Sequence, residues 1–124
     1  MRTAVAEFSA YCASKHANLG FMRSIAHELG PRGINVNAVC PGPTDTPMWR
    51  AGDPDWASWK IGSLPIRRIA TPEEIATAYV YLASDEASYM IGQSVSPNGG
   101  DVMFAGIING GVLQLALALF QLDQ

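Results

Sequence analysis

Ile34-Asn35-Val36-Asn37-Ala38-Val39-Cys40-Pro41-Gly42-Pro43 is the stretch whose reading decides the fold. As far as Cys40 it alternates apolar residues with amides, the period-2 pattern of a short β-strand. Pro41-Gly42-Pro43 stops that strand, because proline cannot donate to a ladder and glycine opens a turn. Upstream, Leu19, Met22, Ile25, Ala26 and Leu29 recur at three- and four-residue intervals. That spacing predicts a helix from about Ala10 to Leu29, with Ser9 as its cap and Gly30-Pro31 ending it.

Downstream, 44–65 loses clear periodicity, and Trp49, Trp56 and Trp59 are spread among Gly, Asp and Pro. The segment reads as a substrate loop or lid with aromatic walls, or as a loop that its tryptophans pack down. A short helix after Pro54 is expected, with Asp53 capping it and proline in its first position. Thr71-Pro72-Glu73-Glu74 is a helix start with a capping threonine, proline at N1 and glutamates at N2 and N3. This helix should run to Leu82 or Ala83. Gln93-Ser94-Val95-Ser96 reads as a second strand, closed by Pro97-Asn98-Gly99-Gly100. Helix, strand, loop, helix and strand in this order describe part of a parallel α/β sheet. A βαβ unit takes about 30 residues or more, and a nucleotide-binding sheet needs two sets of them. The expected fold is therefore α/β, the C-terminal half of a Rossmann-like doubly wound parallel sheet. The catalytic half would occupy 1–104 and an atypical apolar tail 105–124.

The chain has 124 residues, 48% of them hydrophobic and 15% charged, which favours a packed core over disorder. Net charge is −3, and Arg67-Arg68, read as part of a solvated loop, is the only basic doublet. A phosphate-tracking nucleic-acid surface is not expected. Cys12 and Cys40 have no metal-binding spacing and read as buried reduced thiols. His16 and His27 stand roughly 16 Å apart along one helix, too far to share a metal there. No charged segment followed by an apolar core opens the chain, so no export signal is expected and a reducing cytoplasm fits.

Tyr11 and Lys15 carry the chemistry. Four residues apart on the first helix, they fall on one face. An ammonium beside a phenol favours the phenolate, as an acid/base for alcohol–carbonyl exchange requires.

Taken in order, Tyr11-Cys12-Ala13-Ser14-Lys15, Asn35 through Gly42, Thr46, Thr71-Pro72-Glu73-Glu74-Ile75-Ala76, and Gly92-Gln93 through Gly99-Gly100 resemble the short-chain dehydrogenase/reductase family. The likeness is to its classical branch, similar to 3-oxoacyl carrier-protein reductases, and covers about residues 8 to 104. It implies Tyr11 as the catalytic acid/base and Lys15 as the residue that assists it and hydrogen-bonds the nicotinamide ribose. It implies Pro41 and Gly42 as a turn against the nicotinamide, and Thr46 as a hydroxyl meeting the carboxamide, with a loop or helix-cap hydroxyl as its other reading. Val39 or Cys40 would offer backbone contacts near the ring. The implied cofactor is NAD or NADP, the substrate a small alcohol or ketone, and the assembly a homo-oligomer, with no membrane and no metal.

The departures are as informative. No glycine-rich GxxxGxG or GxGxxG turn occurs in the chain, although a dinucleotide fold uses one to seat pyrophosphate at a helix N-terminus. The family's Asn-Asn-Ala-Gly strand is absent, and its catalytic serine would fall upstream of Met1. The selector between NAD and NADP belongs to that same missing half. The tail 105–124 is apolar but interrupted by Asn109, Gln114 and three glycines. A membrane helix needs about 20 predominantly apolar residues. The tail therefore reads as packed on the domain or on a neighbouring subunit, or as a read-through extension. The expected function is an oxidoreductase fragment that turns over slowly or not at all in isolation. The alternatives are a non-catalytic domain that self-associates through its long helix and tail, and a truncated chain that folds poorly.

Overall fold

The computed structural model describes residues 8–103. Helix α1 (Ser9–Leu29) leads into a 3-10 turn, Gly30–Arg32, and then strand β1 (Ala38–Val39). Helices α2 (Pro47–Arg50), α3 (Pro54–Ser63) and α4 (Pro72–Leu82) follow, then a second 3-10 turn, Asp85–Ala87, and strand β2 (Ser94–Val95). β1 and β2 pair in parallel, Ala38 opposite Ser94 and Val39 opposite Val95. The α2–α4 crossover between them is what a parallel pair demands. The expectations for the tail 105–124 lie outside the described residues.

The stripe read from the α1 sequence is the face that packs. Met22 and Ala26 are buried, and Leu19, Ile25 and Leu29 are half-buried, while most of the remaining side chains of the helix are exposed. Its end at Leu29 is where the sequence pattern puts it, and its start moves by one residue. Phe8, not Ser9, is the N-cap, and no side chain caps the helix. At the far end Pro31, which needs no N–H partner in a first turn, lets the chain tighten into 3-10 geometry. Gly33, at φ 74°, supplies the left-handed residue that ends it. Gly30 stays right-handed, and a Cβ there would lie 2.8 Å from Ile91 Cδ1, the tip of a side chain.

The strand expected over 34–40 is shorter, because only one neighbouring strand pairs with it among the described residues. Its amide side chains take over where the ladder stops. Asn37 Nδ2 donates to Met90 O (2.8 Å), Gln93 N donates to Asn37 Oδ1 (3.0 Å), and Asn35 Nδ2 donates to Ser88 O (3.2 Å). Backbone bonds extend the contact further: Gly92 N to Val36 O at 2.8 Å, Cys40 N to Val95 O at 2.8 Å, and Gly42 N to Pro97 O at 3.0 Å.

The segment 44–65, which lacks sequence periodicity, is largely helical. Thr46 caps α2 by accepting from Trp49 N (3.2 Å), and Asp53 caps α3 by accepting from Asp55 N (3.0 Å). α4 carries the full capping box: Glu74 N donates to Thr71 Oγ1 (3.2 Å), and Thr71 N donates to Glu74 Oε2 (2.8 Å). The basic doublet is exposed, as a loop reading requires, yet it is fully engaged. Arg68 grips Glu74 with two hydrogen bonds, at 2.8 and 2.6 Å, and Arg67 donates to Gly62 O near the end of α3. Together these pairs hold Glu74 down to about 2, the Arg68 hydrogen bond first and the Thr71 backbone second.

Candidate functional site

Tyr11 lies in the first turn of α1 and is 59% exposed. One turn on, Lys15 Nζ stands 5.2 Å from the centroid of the Tyr11 ring, so the helix does place the two side chains on one face. Phe8 makes a T-shaped contact with the Tyr11 ring, the centroids 6.3 Å apart at 88°. Both the aromatic pair and the cation over the ring are favourable geometries. Ser14 Oγ donates to Tyr11 O (2.8 Å), a local bond within the helix that leaves the phenol untouched.

Pro41, Gly42 and Thr46 form a second group, on the loop leaving β1. Gly42 has a structural cause that the sequence does not reveal. A Cβ there would lie 2.6 Å from Asn98 Cα, 2.8 Å from Asn98 O and 3.0 Å from Asn98 C. The glycine thus allows the 97–99 loop to approach, and that approach accounts for it without any ligand. Thr44 Oγ1 closes the turn by donating to Gly42 O (2.9 Å). The Thr46 hydroxyl oxygen is engaged as a helix cap, which leaves its proton free to donate. Of the two backbone candidates, Cys40 uses its N–H on Val95 O and its carbonyl on Ser96 Oγ (2.9 Å). Val39 alternates with it, so its N–H and C=O face the other edge of β1, where no strand pairs among the described residues.

No hydrogen bond joins the Tyr11–Lys15 group to the 41–46 group among the described residues. Both cysteines are free and half-buried rather than buried: Cys12 sits on a helix that packs only its far half, and Cys40 on a one-sided sheet. Of the three tryptophans, Trp49 and Trp56 pack together with ring centroids 5.6 Å apart, while Trp59 is exposed. No group of three His, Cys, Asp or Glu residues is placed to hold a metal among the described residues. Nor is any of their helices long and apolar enough to cross a membrane.

Sequence reasoning missed two features. Asn98 ties the glycine turn together, its Nδ2 donating to Ser96 Oγ (3.1 Å) and Val102 O (2.9 Å) while Gly100 N donates to its Oδ1 (2.9 Å). Lys60, 4% exposed, pairs with Asp101. A lysine at the centre of an apolar helix stripe was the available signal for the second.

A cleft of about 160 Å³ lies between Pro43, Leu64, Ile75 and Pro97, with Arg68 and Glu74 also in its lining. It includes neither Tyr11 nor Lys15, and its two charged groups already pair with each other.

The fold and these residues define a short-chain dehydrogenase/reductase. Residues 1–101 match the family model described as enoyl-(acyl carrier protein) reductase. A solved short-chain dehydrogenase/reductase from Serratia marcescens superposes with a TM-score of 0.71 at 40% identity, covering 80% of this chain and 40% of that one. The chain belongs to this family. It is 43% identical over 93 residues to the 3-oxoacyl-[acyl-carrier-protein] reductase FabG of Salmonella typhimurium, which covers 75% of this chain and 38% of that protein. It is 43% identical over 91 residues to the acetoacetyl-CoA reductase of Shinella zoogloeoides, covering 73% of this chain and 38% of the relative. The chain thus spans less than two-fifths of the length of these curated relatives.

Proposed function

We propose that this chain carries the nicotinamide side of an oxidoreductase site, using NAD or NADP and acting on a small ketone or alcohol. The observation that carries the reading is the Tyr11–Lys15 pair on one exposed turn of α1. Tyr11 gives a proton to a substrate oxygen in reduction and takes it back in oxidation. Lys15 stands over the ring, where its three donors suit a ribose hydroxyl. The free proton of the Thr46 hydroxyl suits an acceptor such as a carboxamide oxygen. Pro41 and Gly42 hold the loop that presents it, and Val39 offers a backbone pair at the open edge. A bound nicotinamide supplies or accepts the hydride. These residues fit that ring, but no glycine-rich turn in the sequence seats its pyrophosphate. Positioning can contribute about 7–11 kcal/mol to a rate, so the isolated chain should be slow or inactive. The relatives' names favour a ketone β to a thioester as substrate. The test is ketone-dependent oxidation of NADH and NADPH with acetoacetyl-CoA. Any turnover should be slow and should vanish in Tyr11→Phe; an unchanged rate in that variant sinks the assignment.

A second reading, a self-associating domain, draws on α1, which buries only Met22 and Ala26, and on the open edge of β1. Size-exclusion chromatography with light scattering separates the cases. A homo-oligomer supports association, and a folded monomer removes it.

A further inference from the structure

Helix α3 docks through one narrow stripe. Ala57 and Ile61 are half-buried, Leu64 at its C-cap is buried, and Lys60 between them is the only buried residue of the helix itself. Positions 57, 60, 61 and 64 are the three- and four-residue spacing of a packing face, where an aliphatic side chain is the ordinary occupant. Here the occupant is an ammonium. Lys60 Nζ donates to Asp101 Oδ1, and the two side chains are 5% and 17% exposed. The surrounding fit is close. Ile66 N donates to Gly99 O (3.3 Å), a Cβ on Gly99 would lie 2.6 Å from Ile66 Cγ2, and one on Gly100 would lie 2.6 Å from Pro65 Cγ.

A buried ion pair is seldom the most stabilising way to fill such a place, since apolar residues of similar volume often do as well or better. What the pair adds is direction: an aliphatic side chain can shift along an apolar surface, whereas this ammonium has one carboxylate to meet. The far end of α3 is held differently. Trp56 packs on Trp49 of α2, whose cap is Thr46. We infer that Lys60 and Asp101 are positioning residues, a latch that fixes the register of α3 and, through Trp56 and Trp49, the placement of α2 with Thr46 at its head. The register stands on this geometry alone; its bearing on a cofactor contact at Thr46 rests on the function proposed above.

Amide hydrogen exchange on the full chain, followed peptide by peptide alongside thermal melting, tests the latch without cofactor or turnover. Asp101→Asn strands the buried ammonium, so exchange across 47–63 should accelerate roughly tenfold or more while 72–82 keeps its protection. Asp101→Glu, which keeps the charge, should stay near the parent. The apolar pair Lys60→Met/Asp101→Leu should regain the melting midpoint yet leave 47–63 exchanging faster. A pair that merely fills space gives the opposite result, with both midpoint and protection regained. That outcome overturns the latch, as does unchanged exchange over 47–63 in Asp101→Asn, or equal acceleration in 72–82.

Discussion

Two glycine-to-alanine substitutions should move stability in opposite directions, for reasons visible in the packing. At Gly42 the added methyl meets three backbone atoms of Asn98 within 2.6–3.0 Å, and a backbone cannot rotate aside as a side-chain tip can. Relief requires the 97–99 loop to move away. That movement stretches the bond from Gly42 N to Pro97 O and disturbs the Asn98 side-chain network. Overpacking of this kind costs about 1–3 kcal/mol, and the unyielding neighbours place Gly42→Ala in the upper half of that range. At Gly20, inside α1, the same methyl meets nothing within 4 Å. There alanine gains its helical advantage over glycine, about 0.5–1 kcal/mol. A loss of 2 kcal/mol should lower the melting midpoint by roughly 8–16 °C for a domain of this size. Urea unfolding followed by circular dichroism measures both variants against the parent. The reasoning fails if Gly42→Ala lies within about 0.5 kcal/mol of the parent, or if the two variants shift the same way, taking that as the usual surface scatter.

Thr71→Ala removes the cap of α4 and should cost about 1 kcal/mol in the same urea experiment. Glu74 is held down to about 2 from its ordinary 4.5, chiefly by Arg68, so its contribution is present above pH 4.5 and is lost as pH falls from 4.5 towards 2. Glu74→Gln should therefore flatten the stability profile over that window and leave its shape above pH 5.5 unchanged; an equal acid slope in both proteins counts against the pairing. Arg67 holds φ 58°, a left-handed conformation that disfavours a Cβ. With its side-chain bond to Gly62 O absent in both variants, Arg67→Gly should be about 1 kcal/mol more stable than Arg67→Ala. Matched midpoints would show no strain there.

What was legible in the sequence was what local chemistry writes. Thr71-Pro72-Glu73-Glu74 and Asp53-Pro54 announce α4 and α3 because cap, proline and acidic first turn interact within a few residues. The α1 stripe was equally plain, since a 21-residue helix repeats its face several times. Four residues of α2 are too few to show a period, yet Thr46-Pro47 carries the same cap-and-proline signal as the other two starts. The end of α1 at Leu29 was legible from the stripe and from Gly30-Pro31, whereas the 3-10 turn that carries the chain on to the left-handed Gly33 was not. The extent of β1 depends on which strands lie beside it, which no local pattern states. The proton-relay candidates were readable because Tyr11 and Lys15 are one turn apart. The Lys60–Asp101 pair spans 41 residues and was not. For Gly42 the need for a glycine was legible, but the backbone of Asn98 that presses against it was not.

The central claim, that Tyr11 and Lys15 together with the 41–46 loop receive a nicotinamide ribose, is tested most directly by NMR titration with reduced nicotinamide mononucleotide, which does not require the pyrophosphate–adenosine cradle. Resonances of Tyr11, Lys15 and residues 41–46 should shift with millimolar affinity, and the Tyr11 shift should disappear in Lys15→Met, while residues 85–92 stay still. Shifts confined to other parts of the chain, or the same shifts in Lys15→Met, would contradict it.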